Sequence, residues 1–403
     1  MTYDIRDILQ YIDFQDFYSF LFSIILLIAF IVQIFYYLYF YRGVLCRKRK
    51  IAKDKKITKN KIIFNNSQPP VSVIICAKDE AENLLEFLPS VLEQNYSDYE
   101  VIVVNDGSWD NSEEILFEMS QKYPHLYVTA LPNDVSVKSG KKLALTIGIK
   151  AAKNDILLFT DADCKPATNN WLSLMVRNMN ENTEFVLGFG DYFRKKTLIN
   201  HLISFDTLFI AMQYLGFAYR GFPYMGVGRN MMYRKSTFFR LRGFAGHLHL
   251  PAGDDDLIVN SAANKANTAI ECCAESKTFS VPKPNFAHWL TQKRRHLCTA
   301  EVYKPKSRRI IGYEVVTRGI FYLFLVLIIL QNNLFYIAVA ALLFLIRFII
   351  QTVVINKVAK YTGTRKFFIS IIFWDIILPL ISLYLTTLDK LFFSKNYNKR
   401  CRY

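Results

Sequence analysis

The chain has 403 residues, of which 52% are hydrophobic and 15% aromatic, and its formal net charge is +16. This composition suits one medium-sized domain combined with membrane segments better than an ordinary soluble protein. The basic residues cluster beside apolar segments, at 47–61 and 293–309, which favours an anionic membrane surface over nucleic acid as the partner; no nucleic-acid-binding module is recognisable.

The first apolar segment, residues 17–41, contains no charged side chain. At about 1.5 Å per residue, a helix of this length crosses a hydrocarbon core roughly 30 Å thick. The segment is longer than the core of a signal peptide and lacks a small-residue cleavage site, so we predict a retained anchor. Residues 42–61 carry many positive charges, and the positive-inside tendency predicts that this flank faces the cytoplasm.

Residues 61–284 alternate short apolar runs with helical patterns, which predicts an α/β domain built from βαβ units. The predicted strands are 71–76, 101–104, 127–131 and 156–160. The predicted helices are 82–94, a helix that begins near 111, and 141–152. Residues 198–212 show a further helical pattern, which indicates an amphipathic helix that belongs either to the core or to the membrane surface.

Acidic side chains directly follow three of the predicted strands. They are Asp79 and Glu80, then Asp106, then the pair Asp161 and Asp163. Ligands of open α/β sheets bind at the carboxyl ends of the strands, so we expect these groups to converge on one crevice. Two carboxylates one residue apart repel each other, and a hard divalent cation such as Mg²⁺ or Mn²⁺ would relieve the repulsion. The sequence has no G-x-G-x-x-G after the first strand and no Walker-type loop, which disfavours those two kinds of phosphate site.

The last third of the chain is apolar again. Residues 319–330 and 334–355 are separated by three polar residues and predict a helical hairpin, with Arg347 facing protein or water or extending to the interface. Residues 367–387 form a further apolar segment that contains Asp375 and Pro379. A full crossing by this segment would put the basic tail outside, whereas a kinked or re-entrant segment would keep the tail inside; the sequence leaves both open.

Six motifs lie between residues 71 and 296: VSVIICAKDEAENL at 71–84, VIVVNDGSWDNS at 101–112, SGKKLAL at 139–145, TDADCKP at 160–166, GDDDL at 253–257 and QKRRH at 292–296. In this order they resemble the inverting glycosyltransferases of family 2, which have the GT-A fold. The chain departs from that pattern at two places. Asp79 lies in Lys-Asp-Glu where the family often has Asn-Glu-Glu, and His296 occupies a position where the processive members usually have tryptophan.

The resemblance implies three parts: an N-terminal anchor with a basic linker (1–60), a GT-A transferase domain on the cytoplasmic side (61–310), and a C-terminal membrane region with a basic tail (311–403). It also implies transfer of a sugar from a nucleotide-sugar donor, with a uridine-diphosphate sugar expected, to a lipid or lipid-linked acceptor. The expected location is the inner membrane of the cell, which the chain would cross several times.

The resemblance further assigns roles to individual residues. Asp163 is expected to bind the divalent metal, and Asp161 to contact the metal and the nucleotide or sugar. The residues expected to contact substrate are Asp79, Glu80, Asp106, Lys141, Asp161, Gln292, Arg295 and His296. Lys142 is an alternative to Lys141, because either lysine of the SGKKLAL motif can approach a phosphate or the base.

An inverting transfer needs a base that takes the proton of the acceptor hydroxyl. The family pattern Glu-Asp-x-Asp-Leu aligns with residues 253–257. This alignment makes Asp254 the expected base and Asp256 a residue at the start of a helix, with Asp255 as the alternative base. Two other functions stay open: a processive polysaccharide synthase, which product length would distinguish, and an inactive membrane scaffold, which absence of transfer would reveal.

Overall fold

The computed structural model describes residues 14–47, 68–131, 140–248, 250 and 252–388. The predicted domain boundary at residues 60–61 and the basic segment that follows the anchor from residue 48 lie outside these described residues. The elements below are numbered in chain order.

The centre of the molecule is a mixed seven-stranded sheet in the order β3-β2-β1-β4-β8-β6-β9. Strands β3, β2, β1 and β4 run parallel, and β8 pairs antiparallel with both β4 and β6. The strands of this sheet are β1 Val71–Ala77, β2 Tyr99–Asn105, β3 Leu126–Ala130, β4 Ile156–Phe159, β6 Phe185–Leu187, β8 Met231–Arg234 and β9 Thr268–Ile270. A smaller sheet in the order β5-β10-β7 consists of β5 Cys164–Pro166, β7 Gly190–Tyr192 and β10 Thr278–Ser280.

The parallel half of the sheet follows from the sequence pattern because its strands are buried on both faces. In β1, Val73 and Ile75 face one core while Ile74 faces the other, so the strand appears in the sequence as a continuous apolar run. All four predicted strands are present, and the predicted helices of this half are present within one or two residues at each end. The helices of the domain are α2 Ala81–Leu92, α3 Ser112–Lys122, α4 Gly140–Ala151, α5 Trp171–Val176, α6 Leu198–Tyr219, α7 Lys235–Arg240, α8 Asp256–Ala262 and α9 Phe286–Ala300.

Within the described ranges, five helices are long and apolar enough to cross a membrane by length and composition. The first, α1 Phe14–Phe35, continues through a π-helical turn, Tyr36–Tyr41, and further helix to Arg47. Helix α6 also meets the criterion, but 83% of its most apolar window is buried inside the protein. Of the two alternatives for 198–212, the structure therefore shows a core helix, which packs between the sheet and the π-helical turn of α1.

The predicted C-terminal hairpin is present as α10 Pro305–Leu330 and α11 Leu334–Thr362. Helix α10 begins fourteen residues before the predicted apolar segment and runs through the predicted domain boundary at 310–311, so α10 joins the α/β domain to the C-terminal hairpin without a break. Helix α12 Ser370–Leu383 ends in a π-helical turn, Tyr384–Leu388. Arg347 is 1% exposed and faces the protein, which is one of the three surroundings expected for it.

Candidate active site

The first two motifs are joined to each other at the carboxyl ends of β1 and β2. Asp79 has a positive φ of 54°, and its carboxylate accepts a hydrogen bond from the backbone N–H of Trp109 at 2.8 Å. The backbone N–H of Asp79 donates to the hydroxyl of Ser108 at 2.9 Å. Glu80 accepts a hydrogen bond from Asn83, and burial raises the pKa of its half-buried carboxyl group. These two acidic residues thus organise the ends of β1 and β2, and Glu80 is close enough to Asp163 and Asp161 for their charges to contribute, after burial, to its raised pKa.

Asp106 lies against the first residue of α4. A β-carbon added at Gly140 would lie 2.8 Å from an oxygen of Asp106, so the close approach requires glycine at this position. The pKa of Asp106 is raised by burial. Of the two candidate lysines that follow, Lys142 is 3% exposed and donates to the carbonyl oxygens of His247 and Leu250 at 2.6 and 2.9 Å. Lys142 therefore holds a loop in place, and Lys141 is the lysine that faces the site.

Lys141 connects the acidic groups of two distant motifs. Its ammonium group is 2.9 Å from Asp161 Oδ1 and 3.5 Å from Asp254 Oδ2. Burial alone would raise the pKa of Asp161, but the charge of Lys141 and its hydrogen bond hold that pKa below the usual range. One cavity is lined by Lys141, Asp161, Asp254 and Asp255, together with Cys76 of β1. The structure thus brings the SGKKLAL, TDADCKP and GDDDL motifs to a single site.

The pair Asp161 and Asp163 fits a divalent cation. Their carboxylate oxygens and the sulfur of Cys164 all lie within 4.8 Å of one another. The pKa of Asp163 is raised by burial and by the charge of Asp161, so a cation between the two groups would relieve this repulsion. Burial also raises the pKa of the Cys164 thiol, which donates to Asp163 and is near the Ser280 hydroxyl. A protonated thiol is a poor ligand for a hard cation, so the two carboxylates are the residues that would hold Mg²⁺ or Mn²⁺.

The three consecutive aspartates of GDDDL have different surroundings. Asp256 is 5% exposed and accepts hydrogen bonds from the hydroxyls of Thr299 and Tyr303. Asp255 accepts from the backbone N–H of Gly228 at 2.8 Å and from that of Asp256 at 2.7 Å. Burial, followed by the charges of Asp254 and Asp256, raises the pKa of Asp255 to about 7. Asp256 is thus the first residue of α8, at the start of a helix as expected. Asp254 and Asp255 line the cavity.

The QKRRH motif lies on α9. Gln292 donates to the hydroxyl of Tyr192 at 3.2 Å. Gln292 and Arg295 line a second cavity of about 360 Å³, together with Lys283 and His288. His296 lies on the exposed part of the same helix. Arg295 is also close enough to Asp161 to help lower the pKa of that carboxyl group, after Lys141 and Arg229. The second cavity is therefore cationic and adjoins the acidic site.

Four polar or backbone groups in or near the two cavities bear on the chemistry and belong to residues that were not identified from the sequence as site residues. Arg229 lies with its guanidinium carbon 4.3 Å from the centre of the Tyr192 ring and donates to the Gly190 carbonyl at 2.8 Å. The others are Gly228, whose N–H orients Asp255, and Lys283 and His288 of the second cavity. The sequence of residues 226–235 is typical of a glycine-rich turn that leads into a strand, but no spacing rule connects Gly228 to an aspartate 27 positions later.

The profile of the protein family described as Glycosyl transferase family 2 matches residues 72–241. Poly-beta-1,6-N-acetyl-D-glucosamine synthase of Staphylococcus epidermidis is 31% identical over 113 residues, which are 28% of this chain and 26% of that protein. Glycosyltransferase AglE of Haloferax volcanii is 41% identical over 111 residues, 27% of this chain and 35% of that protein. The probable glycosyltransferase YdaM of Bacillus subtilis is 30% identical over 183 residues, 44% of this chain and 43% of that protein. The chain thus matches between about a quarter and less than half of the length of these relatives.

Among solved structures, the mannosyltransferase PcManGT from Pyrobaculum calidifontis, in complex with GDP-Man and Mn²⁺, has a TM-score of 0.56 and 18% sequence identity. The likeness covers 93% of this chain and 99% of that chain. At this identity the likeness shows the fold. The chain therefore contains a glycosyltransferase family 2 domain with the GT-A fold, accompanied by long apolar helices on both sides of it in the sequence.

Proposed function

We propose that the protein transfers a sugar from a nucleotide-sugar donor to a hydroxyl group of a lipid or lipid-linked acceptor, with inversion at the anomeric carbon. The observation that carries the proposal is the single cavity lined by Lys141, Asp161, Asp254 and Asp255, which joins a cation site to a carboxylate of raised pKa. A donor diphosphate needs cationic neighbours and an acceptor hydroxyl needs a base. This cavity offers both within one site.

We assign the base to Asp255. The pKa of about 7 matches the operating range of a general base, whereas Asp254 is paired with Lys141 and Asp256 is used by Thr299 and Tyr303. The two backbone N–H groups that bind Asp255 fix the direction of its free lone pairs. The preference for Asp255 over Asp254 comes from these surroundings, since the motif alone favoured Asp254.

In the proposed reaction, the acceptor oxygen forms a bond with the anomeric carbon as the bond from that carbon to the donor diphosphate breaks. The acceptor proton passes to Asp255, and the nucleoside diphosphate leaves with the bonding electrons. Lys141, which pairs with Asp161, and Arg295, which lines the second cavity, would neutralise charge on the diphosphate. A divalent cation bound by Asp161 and Asp163 would supply further charge neutralisation for the leaving group.

The membrane helices support an acceptor that is held in the membrane. Helix α9, which lines the second cavity, leads after four residues into the membrane helix α10. We propose that the domain faces the cytoplasm at the inner membrane. The positive-inside tendency favours the cytoplasmic side for the basic residues that follow α1, and nucleotide sugars are made on that side. Positive charge in the second cavity suits an acceptor that carries a phosphate group.

The experiment is a screen of nucleotide sugars, with either uridine or guanosine diphosphate as the leaving group, against detergent-solubilised protein and lipid extract. We expect release of nucleoside diphosphate with at least one donor, dependent on lipid extract and on Mg²⁺ or Mn²⁺. The length of the product separates a single transfer from processive synthesis. Absence of turnover with every donor, in protein that is folded and metal-loaded, would contradict the proposal and support the scaffold alternative.

A further inference from the structure

Helix α12 begins next to the catalytic domain. The loop that precedes it contacts the small sheet, because the carbonyl of Gly363 accepts from Lys277 and from Arg194, each at 2.9 Å. Thr364 donates to Asp191 at 3.1 Å, and Asp191 also binds Lys277 at 2.9 Å. Asp191 belongs to β7, so the loop between α11 and α12 is attached to the same small sheet that holds Tyr192 near the site. Near the start of α12 itself, the indole N–H of Trp374 donates to His201 of α6 at 3.2 Å.

Helix α12 also ends next to the catalytic domain. Its final turn, Tyr384–Leu388, contacts α9, and Leu385 in that turn is 1% exposed. Helix α9 is part of the domain, since Gln292 donates to Tyr192 of β7 and Lys293 forms an ion pair with Asp206 of α6. A helix of this length spans roughly 28 Å, close to the hydrocarbon thickness of about 30 Å. A crossing helix would separate its two ends by that thickness, whereas both ends of α12 contact one domain.

The side of α12 that faces the protein is fixed by a buried carboxylate. Asp375 is fully buried and is 3.3 Å from Arg318 of α10 and 2.8 Å from Arg347 of α11. The hydroxyl of Tyr322 donates to Asp375 at 2.6 Å. A buried carboxylate is very costly without such partners. These contacts therefore attach the middle of α12 to the two helices of the hairpin.

The opposite side of α12 is apolar and exposed. Phe373, Leu380 and Leu383 are 59%, 59% and 56% exposed, and Asp375 is the only charged residue in positions 370–387. This apolar surface continues onto the lipid-facing sides of α10 and α11, where Leu323 and Leu342 are 55% and 58% exposed. Continuity with those two helices identifies the acyl chains of the membrane as what covers α12.

We propose that α12 lies within the leaflet on the side of the catalytic domain and does not cross the membrane. The chain that follows residue 388 then emerges on the side of the catalytic domain, which answers the question that the sequence left open. One consequence rests on the proposed function: because α12 ends against α9, lipids on its exposed face are adjacent to the cavity lined by Gln292 and Arg295. The position of α12 itself is independent of any transferase activity.

The test is the sidedness of introduced cysteines in the full-length protein. A membrane-impermeant maleimide is applied to intact cells and to inside-out vesicles, with the unaltered chain as the background. Thr387→Cys is expected to react from the same side as Lys366→Cys in the loop before α12. Leu334→Cys, at the far end of the hairpin, is expected to react from the opposite side. Reaction of Thr387→Cys from the side of Leu334→Cys would overturn the proposal.

A depth measurement decides the matter if Thr387→Cys proves unreactive from both sides. Spin labels at Phe373 and Leu383 would differ in membrane depth by about 15 Å in a crossing helix. In a helix that lies within one leaflet the two depths are expected to be similar, and a difference near 15 Å would refute the proposal. Neither measurement uses a nucleotide sugar, so failure here leaves the proposed function untouched.

Discussion

At the scale of single residues, the GDDDL motif shows how three adjacent carboxylates acquire three different properties. Asp254 is near the ammonium group of Lys141, and Asp255 is oriented by two backbone N–H groups. Asp256 is buried and accepts hydrogen bonds from two hydroxyl groups. The sequence predicted that one of these carboxylates would be the base. The motif favoured Asp254, with Asp255 as the alternative, and it could not show the surroundings that favour Asp255, because these involve Gly228, Thr299 and Tyr303, all of which are distant in the sequence.

The cation site leads to a prediction for Asp163. Asp163→Ala is expected to remove the dependence of donor binding on Mn²⁺, because one of the two carboxylates that would hold the ion is lost. The measurement is calorimetric titration of the nucleotide sugar with Mn²⁺ and with EDTA. Asp155→Ala, which changes a partly exposed aspartate paired with Arg234, is the control and should retain the metal dependence. Tight, Mn²⁺-dependent binding by the Asp163 variant would refute the assignment.

The raised pKa of Asp255 leads to a prediction for pH dependence. Only the carboxylate form can accept a proton, so kcat/KM is expected to be full above the pKa of about 7 and to fall as the pH drops through it. Asp254→Asn removes a neighbouring negative charge that raises this pKa. The acidic limb of its pH profile should therefore move to lower pH while turnover persists. Loss of all turnover in Asp254→Asn, across the whole pH range, would instead favour Asp254 as the base.

At the scale of elements, the contact between α1 and α6 depends on a glycine. A β-carbon at Gly216 would lie 2.4 Å from the carbonyl oxygen of Phe40, which is backbone and cannot rotate away. Gly216→Ala is therefore expected to destabilise the folded protein by about 1–3 kcal/mol. The control is Gly312→Ala, another glycine within a helix, where an added β-carbon meets nothing within 4 Å. Thermal unfolding in detergent measures both, and equal midpoints would contradict the prediction.

The buried charges between α10, α11 and α12 lead to a second prediction at this scale. Arg347→Met leaves the buried carboxylates Glu314 and Asp375 with Arg318 alone, and breaking a buried pair in this way typically costs about 3–5 kcal/mol. The double variant Arg347→Met/Asp375→Asn restores neutrality. It should therefore be more stable than the single variant by thermal unfolding. A double variant that is less stable than the single one would show that charge balance does not govern this cluster.

The elements themselves differ in how far they could be predicted. The parallel half of the sheet was predicted from sequence because β1, β2 and β4 are continuous apolar runs bounded by polar turns. Strands β6, β7, β9 and β10 have only three residues each, which is too short for the alternation of apolar and polar residues in a strand to be recognised. Helix α6 has one charged residue, Asp206, among its apolar ones, and the sequence could not show that Asp206 is buried in an ion pair with Lys293 of α9, which lets the helix lie inside the protein.

At the scale of the whole molecule, the glycosyltransferase domain and the long apolar helices form a continuous structure. Helix α6 contacts β7, β9 and helix α11, and α12 contacts both α6 and α10. Hydrogen bonds and ion pairs also join α9 to β7 and to α6, and α12 to α10. The arrangement of anchor, domain and C-terminal helices could be predicted from hydropathy alone. The position of α12 could not, because an apolar segment of about eighteen residues suits a crossing helix as well as one within a leaflet.

The central claim is that Asp255 acts as the base in transfer from a nucleotide sugar. The most direct measurement compares donor binding and turnover in the unaltered protein and in Asp255→Asn, which is nearly isosteric but cannot accept the acceptor proton. We predict unchanged donor affinity and a turnover lower by at least ~10²-fold, the typical lower range of general-base assistance. Turnover by Asp255→Asn at the rate of the unaltered protein would contradict the claim.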